Sequence, residues 1–551
     1  MKEISPLQKK RLEYKPSLPK ILEENISNLE IEKKAKTSSI ADETELKEKF
    51  PNTFGAPIVN FKKSSKKETK PLKVGVVFSG GQAPGGHNVI SGLFDALKKL
   101  NSKSELFGYL NGPSGVVDCK YLDLTKELVD SFRNLGGFDL IGSGRTKIET
   151  DEQLEKSLTC AKDLNLDGIV IIGGDDSNTN AAILAEYFKK NNISTKVIGV
   201  PKTIDGDLKS DEVEMSFGFD TACRVYSELI GNIAKDALSA KKYYHFIRLM
   251  GRSASHIALE CALKTHPNIV LIAEEVLQKK KTLKTVTNKI ADIIEKRSEN
   301  NKNYGTILVP EGLIEFIPEF KVLITELNKL LATNEKTEIE LNKLKSGDDK
   351  IKYIKQILSK ESNASFEHLP KAIQEQLLLD RDPHGNVKVS QIETEKLLIE
   401  TVKKELKNRG FKGKFNALSH FFGYEGRSGM PTNFDANYCY SLGFVAALLI
   451  NEGLTGYMSC IGNLKEAPKN WTPKGVPITS LMHLETRHAK KKPVIKKALV
   501  EADSKSFKFL KENREKWALE DLYIYPGSIQ YFGDKEITDS IPISLKLNNF
   551  K

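Results

Sequence analysis

The sequence predicts an α/β protein with two doubly wound, Rossmann-like domains and a helical insertion. Three observations carry that prediction. Short apolar runs rich in β-branched residues stop at glycine, as in "LKVGVVFSGG" and "DGIVIIGGDD". Such runs read as buried parallel strands. They alternate with segments whose apolar residues recur at helical spacing, the pattern of strand–loop–helix units. Over residues 320–410 this alternation gives way to charged segments with helical periodicity alone.

Residues 1–70 are charged and poor in apolar periodicity, and read as an N-terminal arm that packs on a domain. Residues 71–239 form the first α/β domain. After the run that begins at Leu72, Val89, Ile90, Leu93, Phe94 and Leu97 mark a helix. "DGIVIIGGDDS" leads into the helix-like "TNAAILAEYF", and "KVIGVPKTIDGDL" supplies a further strand. A second α/β domain is expected over 240–319 and 411–480. It opens with "YYHFIRLMGR" running into "SASHIALECAL", followed by "NIVLIAEE" and "YGTILVPEG". It resumes with "ALSHFFGYEGRSG", a helix through "ANYCYSLGFVAALLINEG", and "LTGYMSCIG". Between the two parts lies the insertion, 320–410, with a turn expected at "DPHGNV". Residues 481–551 are expected to pack back on the core.

Composition narrows the function classes. The chain has 551 residues, 39% of them hydrophobic, and a net charge of +11. A basic balance suits small anions, nucleic acid or a membrane surface. No basic stretch is laced with aromatics as a single-strand groove is, so no nucleic-acid partner is expected. The longest apolar stretch, "YCYSLGFVAALLI", is too short to span a bilayer, which needs about 20 residues. The N-terminus has no apolar core of a secretory signal. The six cysteines, Cys119, Cys160, Cys223, Cys261, Cys439 and Cys460, form no CxxC pair. That spacing argues against zinc and against a disulfide scaffold, and points to a reducing, cytoplasmic setting.

The chemistry concentrates at strand ends. No GxxxxGK[ST] occurs, and no GxGxxG follows the first strand. Instead "SGGQAPGG" (79–86), "GGDDS" (173–177) and "PKTIDGD" (201–207) each put glycine and polar groups where an α/β sheet binds ligands. Gly80 and Gly81 let backbone approach an anion, or simply make a tight turn. An N-cap explains one aspartate of "GGDDS" but not the adjacent second one. A divalent cation explains a carboxylate pair, since Mg²⁺ is commonly held by one or two carboxylates plus substrate phosphates. In "PKTIDGD", Lys202 suits a phosphate and a nearby carboxylate can accept a hydroxyl proton. "RLMGRS" (248–253), "PEG" (310–312) and "GYEGRS" (423–428) add charged residues beside glycine, including arginines fit for phosphate.

Together these segments resemble the pyrophosphate-dependent phosphofructokinases, in the long form that includes the plant catalytic subunit. The resemblance spans about 72–275, 304–312 and 415–465. In that family "GGDDS" with "PKTIDGD" marks pyrophosphate use. ATP-using relatives have glycine at the position of Asp176, and usually at that of Lys202. The resemblance implies the phosphofructokinase fold, pyrophosphate and fructose 6-phosphate as substrates, and Mg²⁺ as cofactor. It implies Asp205, Lys202 and Asp176 as catalytic or donor-selecting residues, and Asp175 and Asp207 at the metal. Pyrophosphate would contact Gly80, Gly81, Arg145, Ser177 and Lys202. The sugar phosphate would contact Thr203, Ile204, Asp205, Met250, Gly251, Arg252, Glu311, Tyr424 and Arg427. A homodimer sharing the sugar-phosphate site is also implied, with Lys242, Tyr243 or His245 reaching the neighbouring subunit. A non-catalytic regulatory subunit lacks the acid and lysine of "PKTIDGD", and an ATP-dependent kinase lacks Asp176 and Lys202. All of these are present here.

Overall fold

In the computed structural model, residues 5–65, 69–333, 335–378, 387, 391–487, 490–528, 535–539 and 541–548 are described. The chain divides into two units. Unit 1 comprises 1–225, 424–498 and 529–551, and unit 2 comprises 226–423 and 499–528.

Unit 1 is built on nine strands. In chain order they begin with β1 (Leu29–Lys36), β2 (Pro57–Lys63), β3 (Lys73–Phe78), β4 (Glu105–Tyr109), β5 (Tyr121–Asp123), β6 (Gly168–Gly173) and β7 (Lys196–Pro201). Unit 2 contributes β8 (Tyr244–Leu249), β9 (Ile269–Val270), β10 (Gly305–Pro310) and β11 (Ala417–Phe422) to a sheet of its own. The chain then returns to unit 1 with β12 (Tyr457–Gly462) and β13 (Thr472–Pro477). The order across the large sheet is β1-β2-β13-β12-β7-β6-β3-β4-β5. Its centre, β12-β7-β6-β3-β4, is parallel. Every residue of β6 is buried, which is why its sequence is continuously apolar rather than alternating. The flanking strands β1, β2, β13 and β5 pair antiparallel.

The apolar stretch near "YCYSLGFVAALLI" lies in the helix Asn433–Asn451, buried along nearly its whole length. It packs against the helix Gly86–Leu100. Gly92 faces the backbone of Tyr440 and Gly443 faces that of Val89 and Leu93, so a Cβ at either position would strike main chain. Among the described residues, no helix is long and apolar enough to cross a membrane.

The domain boundaries differ from those expected. Tyr424–Ala498 belongs to unit 1, because β12 pairs with β7 and β13 pairs with β12 and β2. Only the part of 411–480 up to Gly423 stays with unit 2. The expected arm also enters the sheet, through β1 and β2. Its Arg11 is fully buried and donates to Asn433 Oδ1 and the Pro431 carbonyl, both at 2.7 Å. The C-terminal segment is divided: a hairpin of β14 (Met482–Arg487) and β15 (Lys490–Ile495) stays in unit 1, whereas 499–528 joins unit 2. A disulfide joins Cys119 to Cys160, 41 residues apart, where the scattered cysteines suggest none. Cys223, Cys261, Cys439 and Cys460 are buried and outside any disulfide among the described residues.

Unit 2 has a four-stranded parallel sheet, β11-β8-β10-β9. "NIVLIAEE" gives only the two residues of β9 before the helix Ala273–Gln278 takes over. The insertion forms the helices Pro318–Thr333, Glu335–Lys343, Gly347–Ile357, Lys360–Glu367, Lys371–Leu377 and Thr394–Asn408. Their apolar faces, with Leu323, Ile354, Phe366 and Leu398, join the same core as Phe246 and Ile307 of the sheet. The expected turn at 382–387 lies outside the described residues, apart from Val387.

Candidate active site

Strands β3, β6 and β7 are parallel neighbours, so their three glycine-bearing ends lie side by side in unit 1. Gly80 has φ 85, a conformation that glycine adopts without strain. Its N–H donates to the Gly144 carbonyl at 2.8 Å, which brings the "GSGR" loop and the exposed Arg145 to the end of β3. Ser177 Oγ donates to Ser79 Oγ at 2.8 Å, joining the second loop to the first.

The paired aspartates are not caps. The N-cap of the helix Asp175–Lys190 is Gly174, with no side-chain capping bond, and Asp175 and Asp176 are its first two residues. The strand-to-helix turn is held instead by Asn178, whose Nδ2 donates to the carbonyls of Gly173 and Gly174 at 2.7 and 2.9 Å. Both carboxylates therefore start a helix, where the macrodipole favours negative charge, and they diverge. Asp175 Oδ2 lies 3.5 Å from Lys497 Nζ, whereas Asp176 Oδ1 lies 3.7 Å from Lys147 Nζ.

Lys202 is 6% exposed and its Nζ donates to the Gly81 carbonyl at 2.6 Å. Burial lowers its pKa to about 8, helped by Arg427 and Arg145 and opposed by Asp205 and Asp175. Gly80 lies against this ammonium: a Cβ there would sit in van der Waals contact, 3.7 Å from Nζ. Arg427 lies against the same loop, its Nη2 donating to Gln82 Oε1 at 3.0 Å, with the exposed Tyr424 ring beside its guanidinium. The structure thus groups Arg427 with Lys202 and Gly81, although the sequence reading puts it with the sugar phosphate.

The turn after Lys202 orders the acids. Asp205 N–H donates to Thr203 Oγ1 at 3.1 Å, and Gly206 takes φ 74. The Ile204 side chain is buried, so only its backbone can meet a ligand. Asp207 is 5% exposed. Its pKa rises to about 7, chiefly through burial, with Asp205 and Asp175 adding and Lys497 opposing. Asp175 and Asp207 share Lys497 as a common cation, at 3.5 and 3.8 Å. Hard oxygen donors around one positive charge fit Mg²⁺. Among the described residues no group of three or more His, Cys, Asp or Glu could hold a metal, so substrate oxygens would have to complete the sphere.

Unit 2 holds a second set. Gly251, at φ 133, donates its N–H to Glu311 Oε2 at 3.0 Å, and Glu311 is 2% exposed. Met250 N–H donates to the Phe422 carbonyl, and Arg252 is exposed. Lys242 and Tyr243 are exposed, with Tyr243 at φ 67. His245 does not share their exposure: it is 4% exposed and hydrogen-bonded to His420 across 2.9 Å. Of the three residues considered for reaching another subunit, only Lys242 and Tyr243 present themselves to solvent.

A family profile described as phosphofructokinase matches residues 73–348. The chain belongs to the phosphofructokinase family. It is 51% identical over 548 residues to a pyrophosphate–fructose 6-phosphate 1-phosphotransferase of Porphyromonas gingivalis, covering 98% of each chain. It is 52% identical over 536 residues to subunit beta 2 of the Arabidopsis thaliana enzyme of that name, covering 96% of this chain and 92% of that one. The crystal structure of a pyrophosphate-dependent phosphofructokinase from Nitrosospira multiformis shares the fold, with a TM-score of 0.54 at 15% identity, over 87% of this chain and 96% of that one.

Within this phosphofructokinase fold, two cations escape sequence reasoning. Lys147 follows the "GSGR" loop by two residues, and its proximity to Arg145 is the one available signal. Lys497 sits in "PVIKKAL", beside no glycine and after no apolar strand that the pattern identifies. It reaches the site because the Ala498 N–H donates to the Asp207 carbonyl at 2.7 Å.

Proposed function

We propose that this chain transfers a phosphoryl group reversibly from pyrophosphate to the 1-hydroxyl of fructose 6-phosphate, giving fructose 1,6-bisphosphate and phosphate. The observation that carries this reading is Lys202: a buried ammonium fixed on the Gly81 carbonyl, with two arginines near it and two helix-start carboxylates at the adjacent strand end. The names of the relatives at 51% and 52% identity support it.

Phosphoryl transfer is mostly positioning and charge neutralisation. Lys202, Arg427 and Arg145, with the Gly80–Gly81 backbone and Ser177, bind and orient pyrophosphate. Asp205 accepts the proton of the 1-hydroxyl as that oxygen bonds to phosphorus. The bridging P–O bond breaks and the leaving phosphate keeps its electron pair. Mg²⁺, held by Asp175 and Asp207, supplies further neutralisation of the donor oxygens when bound. Thr203, the Ile204 backbone and Tyr424, all of unit 1, bind the sugar phosphate. Asp176 selects the donor by repelling a nucleotide's additional phosphate. The enzyme works as a cytoplasmic homodimer in which Lys242 or Tyr243 completes the partner's sugar-phosphate site.

The test is conversion of fructose 6-phosphate with pyrophosphate, run beside ATP, with and without Mg²⁺. Product is expected with pyrophosphate and Mg²⁺, and far less with ATP. No product with either donor overturns the reading.

A further inference from the structure

We infer that the Cys119–Cys160 disulfide is a redox-modification site opened by a dithiol, and that opening it loosens the loop that carries Arg145 to the donor site. The effect on the donor rests on the reading of Arg145 as a pyrophosphate ligand.

The bond is placed for attack from one side. Cys160 is buried on the helix Asp151–Asp163, with Tyr109 Oη 3.5 Å from its sulfur. Cys119 is half-buried in the turn after the helix Pro113–Val117, between the exposed Asp118 and Lys120. A groove of about 700 Å³ reaches both cysteines, and the exposed Asp118, Lys120, Glu155 and Thr159 in its wall open it to solvent. A thiolate therefore attacks Cys119 Sγ, and Cys160 Sγ leaves as a thiolate that takes up a proton. The reagent's second thiol then attacks the mixed disulfide at the reagent's own sulfur. Cys119 is released as a thiol and the reagent closes its own disulfide, so the dithiol supplies every electron and proton that the protein gains. The proposed cytoplasmic setting agrees with this chemistry, since a disulfide there is usually transient, catalytic or redox-sensing.

The two cysteines stand on the two supports of the "GSGR" loop. On one side, Asn111 and Gly112 lead into the helix Pro113–Val117 and on to Cys119. Gly144 packs directly on that backbone: a Cβ on Gly112 would strike the Gly144 main chain, and one on Gly144 would strike the Asn111 carbonyl. On the other side, residues 142–150 lie outside any helix or strand and run into the helix that carries Cys160. The disulfide thus closes a ring through 119–160 whose middle meets the donor site, through the hydrogen bond from Gly80 N–H to the Gly144 carbonyl. Opening the bond lets the two supports part, and the loop between them opens more often.

The test treats the folded full chain with dithiothreitol, then with iodoacetamide, and maps the label by peptide mass spectrometry. Cys119 should take up label only after reduction, while the buried Cys223, Cys261, Cys439 and Cys460 take up none. Label at Cys119 before reduction, none there after it, or label there only together with the buried cysteines overturns the inference. Hydrogen exchange of the amides over 142–148 should rise several-fold on reduction, and Cys119→Ser should show the raised rate with or without reductant. Exchange that reduction leaves unchanged, or Cys119→Ser matching oxidised wild type, also overturns it. Reduced wild type should have a KM for pyrophosphate several-fold above that of the oxidised form, with the KM for fructose 6-phosphate unmoved. An unchanged KM for pyrophosphate overturns the link to the donor site. If neither form converts substrate, the pyrophosphate reading fails, while labelling and exchange still decide the redox site.

Discussion

Lys202 Nζ donates a 2.6 Å hydrogen bond to the Gly81 carbonyl, tying the end of β7 to the loop after β3 across the intervening strand β6. Neither residue's sequence neighbourhood mentions the other, and the bond crosses 121 positions. It holds a positive charge against the loop that carries Gly80 and Gly81.

Lys202→Met should lower kcat/KM for pyrophosphate by about 100-fold, the scale of losing one preorganised donor at a developing charge. The KM for fructose 6-phosphate should move little. Steady-state kinetics with each substrate varied in turn checks this, and equal losses for both would remove Lys202 from the donor site.

The same ammonium sets a pH dependence. Burial, with Arg427 and Arg145, brings its pKa from the ordinary 10.5 to about 8. Its charge is therefore lost as pH rises through 8, and kcat/KM for pyrophosphate relative to that of Lys202→Arg should fall over that range. The stability effect has the opposite sense. Between about 8 and 10.5 the unfolded chain binds the proton that the folded chain has released, so this group's contribution rises with pH. Below 8 the cost of burying the charge is fully present. At pH 7, Lys202→Met should be the more stable protein by about 1–3 kcal/mol, an advantage that shrinks toward pH 10. Denaturant midpoints at the two pH values check it.

Asp176→Gly should raise kcat/KM for ATP. Two unit charges 4 Å apart repel by about 1 kcal/mol in water and about 4 kcal/mol at an effective dielectric of 20. The Asp176 side chain is 39% exposed and Lys147 lies 3.7 Å away, so the lower part of that range applies. A gain of about 5- to 30-fold is expected from kinetics with ATP as donor. An unchanged pyrophosphate-to-ATP preference would show that the carboxylate does not select the donor.

Gly81→Ala tests the loop itself. The backbone there needs no left-handed conformation, but the added methyl would meet the Arg427 guanidinium. A flexible side-chain end can move, so the fold should survive with an unchanged thermal transition. The guanidinium should not stay in place, and KM for pyrophosphate should rise by about tenfold.

Asp205→Asn keeps the shape of the turn and removes the carboxylate proposed as the base. Turnover should fall by about 1,000-fold while both KM values stay within a few-fold. Near-normal turnover would mean that another group takes the hydroxyl proton.

Strand identity was legible because β3, β6, β7, β8 and β10 are buried parallel strands whose apolar runs stop at or close to glycine or proline. Their partners were not, since pairing depends on register and crossover. Thus "LTGYMSCIG" reads as a strand from sequence, but nothing local says that it lies beside β7 rather than in the second sheet. The arm misleads for a related reason: β1 is the edge strand with β2 next to it, and both are partly exposed and carry charges. In the site, Asp175, Asp176, Lys202 and Asp205 announce themselves because each follows a strand and sits near glycine. Lys147 and Lys497 do not. Lys497 depends on a hairpin folding back to Asp207, and His245 looks available in "KKYYHF" until β11 brings His420 against it.

The placement of β12 beside β7 has a cost during synthesis. The bond from Val197 N to Thr455 Oγ1 spans 258 residues, and all of 226–423 emerges from the ribosome in between. At about 5–20 residues per second, one edge of the growing sheet waits on the order of 10–50 s for its neighbour. An uncovered parallel strand of this composition is a template for pairing with other chains. The nascent protein therefore has its greatest exposure to aggregation, and its greatest use for a chaperone, after β7 has been made and before β12 arrives.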